Sequence, residues 1–278
     1  MSGGGAERAG GSRNLVLRIV AALVLAPLAI ALAYSGGWMW SLLVTLAAIG
    51  LFGEWLMIVG ASTHVGAMAS GIVALALIGF SLAFGWITVA LISGILGLAL
   101  VVLLTSGKRG WVAAGLLYAA AALVASVLVR QDAANGFLAL MFVLLIVWVT
   151  DIGGYFAGRG VGGPKLWPRV SPKKTWAGAI GGFGGSLIVA VGFAVCDLGK
   201  AGPLLLLGAV LSVASQLGDL FESAVKRRFG VKDSSQLIPG HGGLMDRLDG
   251  FVAAIVMASI IGFLRRGVDS VGSGLMVW

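Results

Sequence analysis

Apolar residues in this chain fall in long runs rather than in an alternating or heptad pattern. Runs of about 20 residues, the length that crosses a bilayer as a helix, cover approximately 15–34, 38–59, 66–84, 86–105, 111–129, 136–155, 175–196, 202–221 and 248–264. About nine transmembrane helices are therefore expected, in an all-α polytopic membrane protein. The short junctions near 85 and 130 are the weakest points of that count. Residues 1–14, rich in Gly, Ser and Arg, read as a disordered cytoplasmic tail. No cleavable signal peptide is expected, because the first run leads through Gly36-Gly37 into another span, as a retained hairpin does. No repeat of 20 to 50 residues is visible. Residues 15–278 read as a single transmembrane domain, with its catalytic part at 148–250.

Composition sharpens this picture. Of 278 residues 59% are hydrophobic and 11% charged, and the mean hydropathy is +1.04. A soluble domain would carry about a quarter charged residues. Among the 45 glycines, Gly178-x-x-x-Gly182 and Gly181-x-x-x-Gly185 offer the small faces that let membrane helices approach closely. The single cysteine, Cys196, excludes an internal disulfide or a multi-cysteine metal site. It closes an apolar run and reads as a packing residue.

The net charge of +8 suits anionic partners such as phosphates and acidic lipids. Nucleic-acid binding is excluded, since no long basic soluble region exists. Lys and Arg concentrate in alternate loops, which places the N-terminus and the loops 159–174 and 226–247 in the cytoplasm. Arg265 and Arg266 dissent from this bias, and a re-entrant or additional span near the C-terminus would remove the conflict.

Three constellations carry candidate chemistry. In the first, Asp151, Tyr155 and Arg159 share a helix face if the sixth span continues past its apolar run; Asp151 either serves the site or pairs with Arg159. In the second, Ser171-Pro172-Lys173-Lys174-Thr175, serine followed by proline signals a helix start. Two lysines in a first turn oppose the dipole but suit a bound phosphate. The bland alternative is a positive-inside anchor, which applies most to Lys165.

The third constellation runs from Gln216 to Asp249. Gln216, Asp219, Ser223 and Lys226 fall within about 80° of arc on one helix. Asp219, near the membrane surface, needs a cation or a lysine. Pro239 to Gly243 forms a glycine-rich stretch in which His241 is a candidate acid, base or oxyanion donor. Asp246 and Asp249 follow at i, i+3, an arrangement resembling a hard-cation site. His64 lies in a short loop and Glu54 is left to pair within the bundle; neither is given chemistry. No Gly-x-x-x-x-Gly-Lys-Ser/Thr occurs, which excludes a P-loop.

At these residues the chain resembles the phosphatidate cytidylyltransferase (CDP-diacylglycerol synthase) family. The matching positions are Gln216-Leu217-Gly218-Asp219-Leu220, Ser223, Lys226-Arg227, Lys232-Asp233, Pro239 to Gly243, Asp246-Arg247-Leu248-Asp249 and the Ser-Pro-Lys-Lys-Thr element. The resemblance covers 148–250 in sequence and the N-terminal half in hydropathy. It implies transfer of a cytidylyl group from CTP to phosphatidate, giving CDP-diacylglycerol and pyrophosphate in phospholipid biosynthesis. The implied catalytic residues are Asp219, Lys226, Arg227, His241, Asp246 and Asp249. Substrate would meet Asp151, Lys165, Ser171, Lys173, Lys174, Ser223, Lys232, Asp233, Gly242, Gly243 and Arg247. Mg²⁺, with room for a second cation, would be held by Asp219, Asp246 and Asp249.

The implied setting is a bacterial-type inner membrane, among membrane lipids; the glycine-rich seventh span leaves room for a homodimer. Rival readings are another lipid-phosphate transferase or kinase, or an ion-coupled transporter. Transporters carry buried charges near the midplane of broken helices, whereas here the charges sit at span ends. One position departs from the family: where a glutamate usually follows the Ser-Pro-Lys-Lys-Thr element, this chain has Ala177.

Overall fold

The computed structural model describes residues 27–235 and 242–278. Among them, eight helices are long and apolar enough to cross a membrane. They are α1 (Gly37–Ile58), α2 (Val65–Ala83), α3 (Ile87–Leu104), α4 (Arg109–Gln131), α5 (Gly136–Gly160), α6 (Trp176–Val195), α7 (Ala201–Arg228) and α8 (Met245–Arg266). Each coincides with one of the last eight expected spans. Residues 27–35, the end of the first expected span, are also helical; its earlier part lies outside the described residues. The chain turns at Gly36, where φ is +65° and a Cβ would stand 2.5 Å from Arg130 Nη2. Only glycine suits that turn.

The side chains that face outward fit a hydrocarbon solvent. Ile95, Leu103 and Ile188 are 68%, 72% and 74% exposed, an arrangement that water would oppose at about 25 cal/mol per Å². Inside, Phe52, Trp55, Phe142, Leu140 and Ile146 are fully buried. Helices α1–α4 and α5–α8 form two groups joined through α4, which packs against both α5 and α8. Within the second group α5 and α6 touch almost backbone to backbone. A Cβ at Gly182 would lie 2.5 Å from Thr150 O, and one at Gly178 would lie 2.8 Å from Gly154 O. The small faces read from the sequence are thus used within the chain. Cys196 departs from expectation: it is exposed at the C-cap of α6, because the apolar run that it closes faces outward at Val195.

Between α5 and α6 the chain forms an antiparallel pair, β1 (Lys165–Trp167) and β2 (Ser171–Thr175), with Lys165 opposite Thr175 and Trp167 opposite Ser171. This corrects the expected helix start at Ser171. Proline pushes the residue before it toward extended backbone, and the helix instead begins at Trp176. Its cap is Thr175, whose Oγ1 accepts a hydrogen bond from Gly178 N at 3.1 Å. Lys173 and Lys174 therefore lie on a strand leading into the helix N-terminus.

The opposite end of the bundle is closed by a C-terminal hook. After α8 the chain turns through Val268–Ser270 into a short helix, α9 (Val271–Met276), whose residues are all buried. Asp132 Oδ2 accepts Ser273 N at 2.6 Å, while its Oδ1 accepts Ala134 N and Asn135 N. Burial alone would raise this carboxyl; the backbone donors at Asn135, Ser273 and Ala134 hold it below the ordinary aspartate value. Arg265 donates to Gly274 O and stacks on Trp278, 3.4 Å from the ring centroid. Arg130 donates to Ala33 O and Tyr34 O. The hook thus follows directly on the arginines that end the last span and takes up one of them, Arg265.

Candidate active site

At the other end of the bundle two helices outrun their apolar stretches. α5 continues to Gly160 and α7 to Arg228, carrying polar side chains beyond the hydrocarbon. With β2 and the first turn of α6 they enclose a cavity of about 570 Å³. Asp151, Tyr155, Arg159, Lys173, Lys174, Gln216 and Asp219 line it, with Gly154, Gly158 and Gly178 leaving room at its wall. A second cavity, of about 590 Å³ between α2, α3, α4 and the end of α8, has no charged residue in its lining.

Lys174 forms an ion pair with Asp219 and interacts electrostatically with Asp151 and Asp249 as well. Ser223 Oγ donates to Asp219 Oδ1 at 3.4 Å, one turn along α7. Asp249 reaches this group because α7 and α8 meet at a glycine: a Cβ at Gly218 would lie 2.7 Å from Asp249 O. Of these carboxylates Asp219 contacts Lys174 directly, and Asp151 and Asp249 lie within its electrostatic range. Arg159 Nη1 donates to Tyr155 Oη at 2.7 Å, so the i, i+4 pair on α5 is Tyr155–Arg159, and Asp151 is left to the lysine.

Asp246 is engaged by other partners, although it is only three residues from Asp249. Its Oδ1 accepts from Lys226. Its Oδ2 accepts Gly243 N at 2.9 Å, Ser234 Oγ at 3.0 Å and Ser234 N at 3.1 Å. Lys226 also pairs with Glu222 at 2.8 Å. Glu222 is 1% exposed, and its Oε1 has no hydrogen-bond partner among the described residues. Lys226 is therefore a buried clamp between α7 and α8.

The other expected positions lie around these two groups. Ser171 and Lys165 sit on the β-hairpin, with Lys165 exposed. Arg227 Nη1 donates to Val231 O at 3.3 Å, closing the end of α7. Lys232, Asp233 and Arg247 are exposed. Gly242 has φ +79°, and a Cβ there would stand 2.9 Å from Asp246 Oδ2. His241 lies outside the described residues. Ala177, in the first turn of α6, is not part of the cavity lining.

Sequence reasoning missed Glu54 and Glu222. Glu54 is fully buried and accepts four hydrogen bonds from residues 234–245. One signal pointed to it: it is the only acidic residue between Glu7 and Asp132, and a carboxylate in a span needs partners.

A divalent cation fits this donor set. Asp151 and Asp219 share the cavity with Lys173, Lys174 and Arg159, and Asp249 lies within electrostatic range of Asp219 and Lys174. Carboxylates beside a phosphate site are favourable chiefly with a cation between them. Among the described residues no three His, Cys, Asp or Glu side chains could hold a metal ion on their own. Its shell would need substrate oxygens or water, the habit of Mg²⁺.

A family model described as the cytidylyltransferase family matches residues 16–264. The phosphatidate cytidylyltransferase of Brucella suis biovar 1 is 40% identical over 279 residues, covering 92% of this chain and 96% of that protein. The phosphatidate cytidylyltransferases of Haemophilus influenzae and Staphylococcus aureus are each 45% identical, over 140 and 124 residues, respectively 48% and 44% of this chain.

Proposed function

The chain belongs to the cytidylyltransferase family, and from that premise we infer that it transfers the cytidylyl group of CTP to phosphatidate. A phosphate oxygen of phosphatidate forms a bond to the α-phosphorus of CTP. The bond from that phosphorus to the bridging oxygen of the β-phosphate breaks, and its electron pair leaves with pyrophosphate. CDP-diacylglycerol remains in the membrane.

The charge layout of the 570 Å³ cavity carries this reading. It lies at the span ends, where a lipid phosphate and a soluble nucleotide can meet. Lys173, Lys174 and Arg159 bind phosphate oxygens there, and Tyr155 orients Arg159. Such a transfer asks the protein mainly to align attacking and leaving oxygens and to neutralise charge. Mg²⁺, held by Asp219 and Asp249, would supply further neutralisation when bound. Asp246 would join it only by giving up Lys226. Ser223 steadies Asp219, and Lys226 fixes α8 against α7.

The site faces the cytoplasm of a cell membrane on this reading, supported by ten basic residues in 159–174 and 226–247. A single cysteine at Arg169, exposed in the hairpin, should resist impermeant thiol reagents in intact cells in a Cys196→Ser background.

The function is tested with purified protein, phosphatidate and CTP labelled at the α-phosphate, with and without Mg²⁺. Label should enter the lipid only with the cation. No labelled lipid overturns the activity. Lipid labelled instead from the γ-phosphate would make the protein a kinase.

A further inference from the structure

We propose that Glu54, in the last turn of α1, is a positioning residue of this active site: it sets the first turn of α8 and thereby Asp246 and Asp249. The proposal rests on the functional reading above.

Both oxygens of Glu54 are committed. Oε1 accepts Ser235 Oγ at 2.6 Å and Leu244 N at 2.7 Å. Oε2 accepts Met245 N at 2.7 Å and Ser234 Oγ at 2.8 Å. One carboxylate from the N-terminal half thus holds both flanks of the segment that joins α7 to α8. Helix α8 begins without a side-chain hydrogen bond from its own cap residue, Leu244. The opening N–H groups of a helix lack internal partners, and an anion there is favourable. Glu54 fills that role from another helix.

Its link to Asp246 is direct. The Ser234 hydroxyl lies within hydrogen-bond distance of both Glu54 and Asp246, yet it has a single proton to donate. The two carboxylates therefore compete for one donor, and moving either one shifts the other. At Gly243 a Cβ would stand 1.8 Å from Ser234 Oγ and 2.5 Å from Glu54 Oε2, so the backbone is pressed against this junction.

The support is rigid. Trp55, the next residue, donates from Nε1 to Trp111 O at 2.8 Å and packs against Tyr118 and Phe221. Val59 O accepts Lys108 Nζ at 2.6 Å. The end of α1 is thereby fastened to α4 and α7, which gives Glu54 a fixed origin from which to place α8.

Glu54→Gln keeps the volume but turns an amide donor either toward Met245 N–H and the Ser234 hydroxyl or toward Leu244 N–H and the Ser235 hydroxyl. The test compares wild type, Glu54→Gln, Ser235→Ala and Leu75→Ala, a core variant of α2, by thermal unfolding and by kcat and KM for both substrates. Glu54→Gln should lower kcat roughly a hundredfold, as misplacement by about an ångström does, while KM for CTP changes little. Leu75→Ala should lose as much thermal stability and keep its kcat. If Glu54→Gln keeps near-normal kcat, or Leu75→Ala loses kcat in parallel with it, the proposal fails. If Glu54→Gln does not fold, Ser235→Ala decides: a several-fold drop in kcat at unchanged Tm supports positioning, and an unchanged kcat overturns it. An inactive wild type would count against the assigned reaction, since every comparison here is made relative to wild type.

Discussion

At the closed end of the bundle Arg130, Asp132 and Arg265 direct their polar atoms onto main-chain groups of residues 33–34, 134–135 and 273–277. At the cavity end Asp219 pairs with Lys174, with Asp151 and Asp249 in electrostatic range of it, and Lys173 and Arg159 line open space. Both ends place charges where helices leave the hydrocarbon. One satisfies them from within the chain; the other leaves Lys173 and Arg159 without an ion-pair partner among the described residues. The difference shows how a site is recognised in a protein poor in charge: charges at a span end are common, but charges without internal compensation are held for a ligand.

The largest expected effect tests the cavity end. Asp219→Asn should lower turnover roughly a thousandfold, about 4 kcal/mol of barrier, in protein that still folds. A near-normal rate in steady-state assay would make Asp219 a structural partner of Lys174 and erase the contrast.

Asp246→Asn should come next, at roughly a hundredfold, but for a different reason. It strips a charged partner from buried Lys226 and loosens the start of α8. Mg²⁺ titration of the residual rate separates the two: the Asp219 variant should need far more cation, and the Asp246 variant about the wild-type concentration. A shifted requirement in both would bring Asp246 into the metal shell.

The closed end should respond in stability instead. Asp132→Asn turns an amide donor toward Ser273 N–H or toward the 134–135 turn, a cost of about 1–3 kcal/mol. Thermal unfolding should register that loss while kcat stays unchanged; a lost kcat would mean that the ends are coupled. Because the folded carboxyl lies below its ordinary value, its contribution is complete above the unfolded pKa of about 3.9. It disappears as pH falls through the lower folded value. Acid should therefore weaken the wild type in that range and the Asn variant less.

The smallest expected effect is at Ala177. Ala177→Glu should leave turnover within about threefold, under 1 kcal/mol, because the carboxylates of the cavity end come from α5, α7 and α8. A tenfold rise would show that this end lacks an acid after all.

Which parts were legible in the sequence follows from the range of the forces. Spans announce themselves through about 20 local residues, so α1–α8 appear where expected. The stripe from Gln216 to Lys226 was readable because helical spacing fixes it. The Ser171–Thr175 element was misread because a proline at a helix first turn and one in an edge strand have the same local signature; the pairing with Lys165–Trp167 decided between them. Asp246 and Asp249 looked like one pair, yet Lys226 takes the first, while the second lies where α8 closes on Gly218, in the electrostatic range of Asp219 and Lys174. Glu54 was least legible, since none of its donors lies nearby in the chain.

That remoteness has a meaning in time. Leu244 follows Glu54 by 190 residues. At synthesis rates of about 5–20 residues per second, roughly 10 to 40 s separate their emergence from the ribosome. For most of that interval α1 is already made, while its carboxylate still lacks all four of its final donors. Water at the edge of the bilayer has to stand in for them. A nascent chain stalled before Ser234 would therefore carry an uncapped acid at the end of its α1 span.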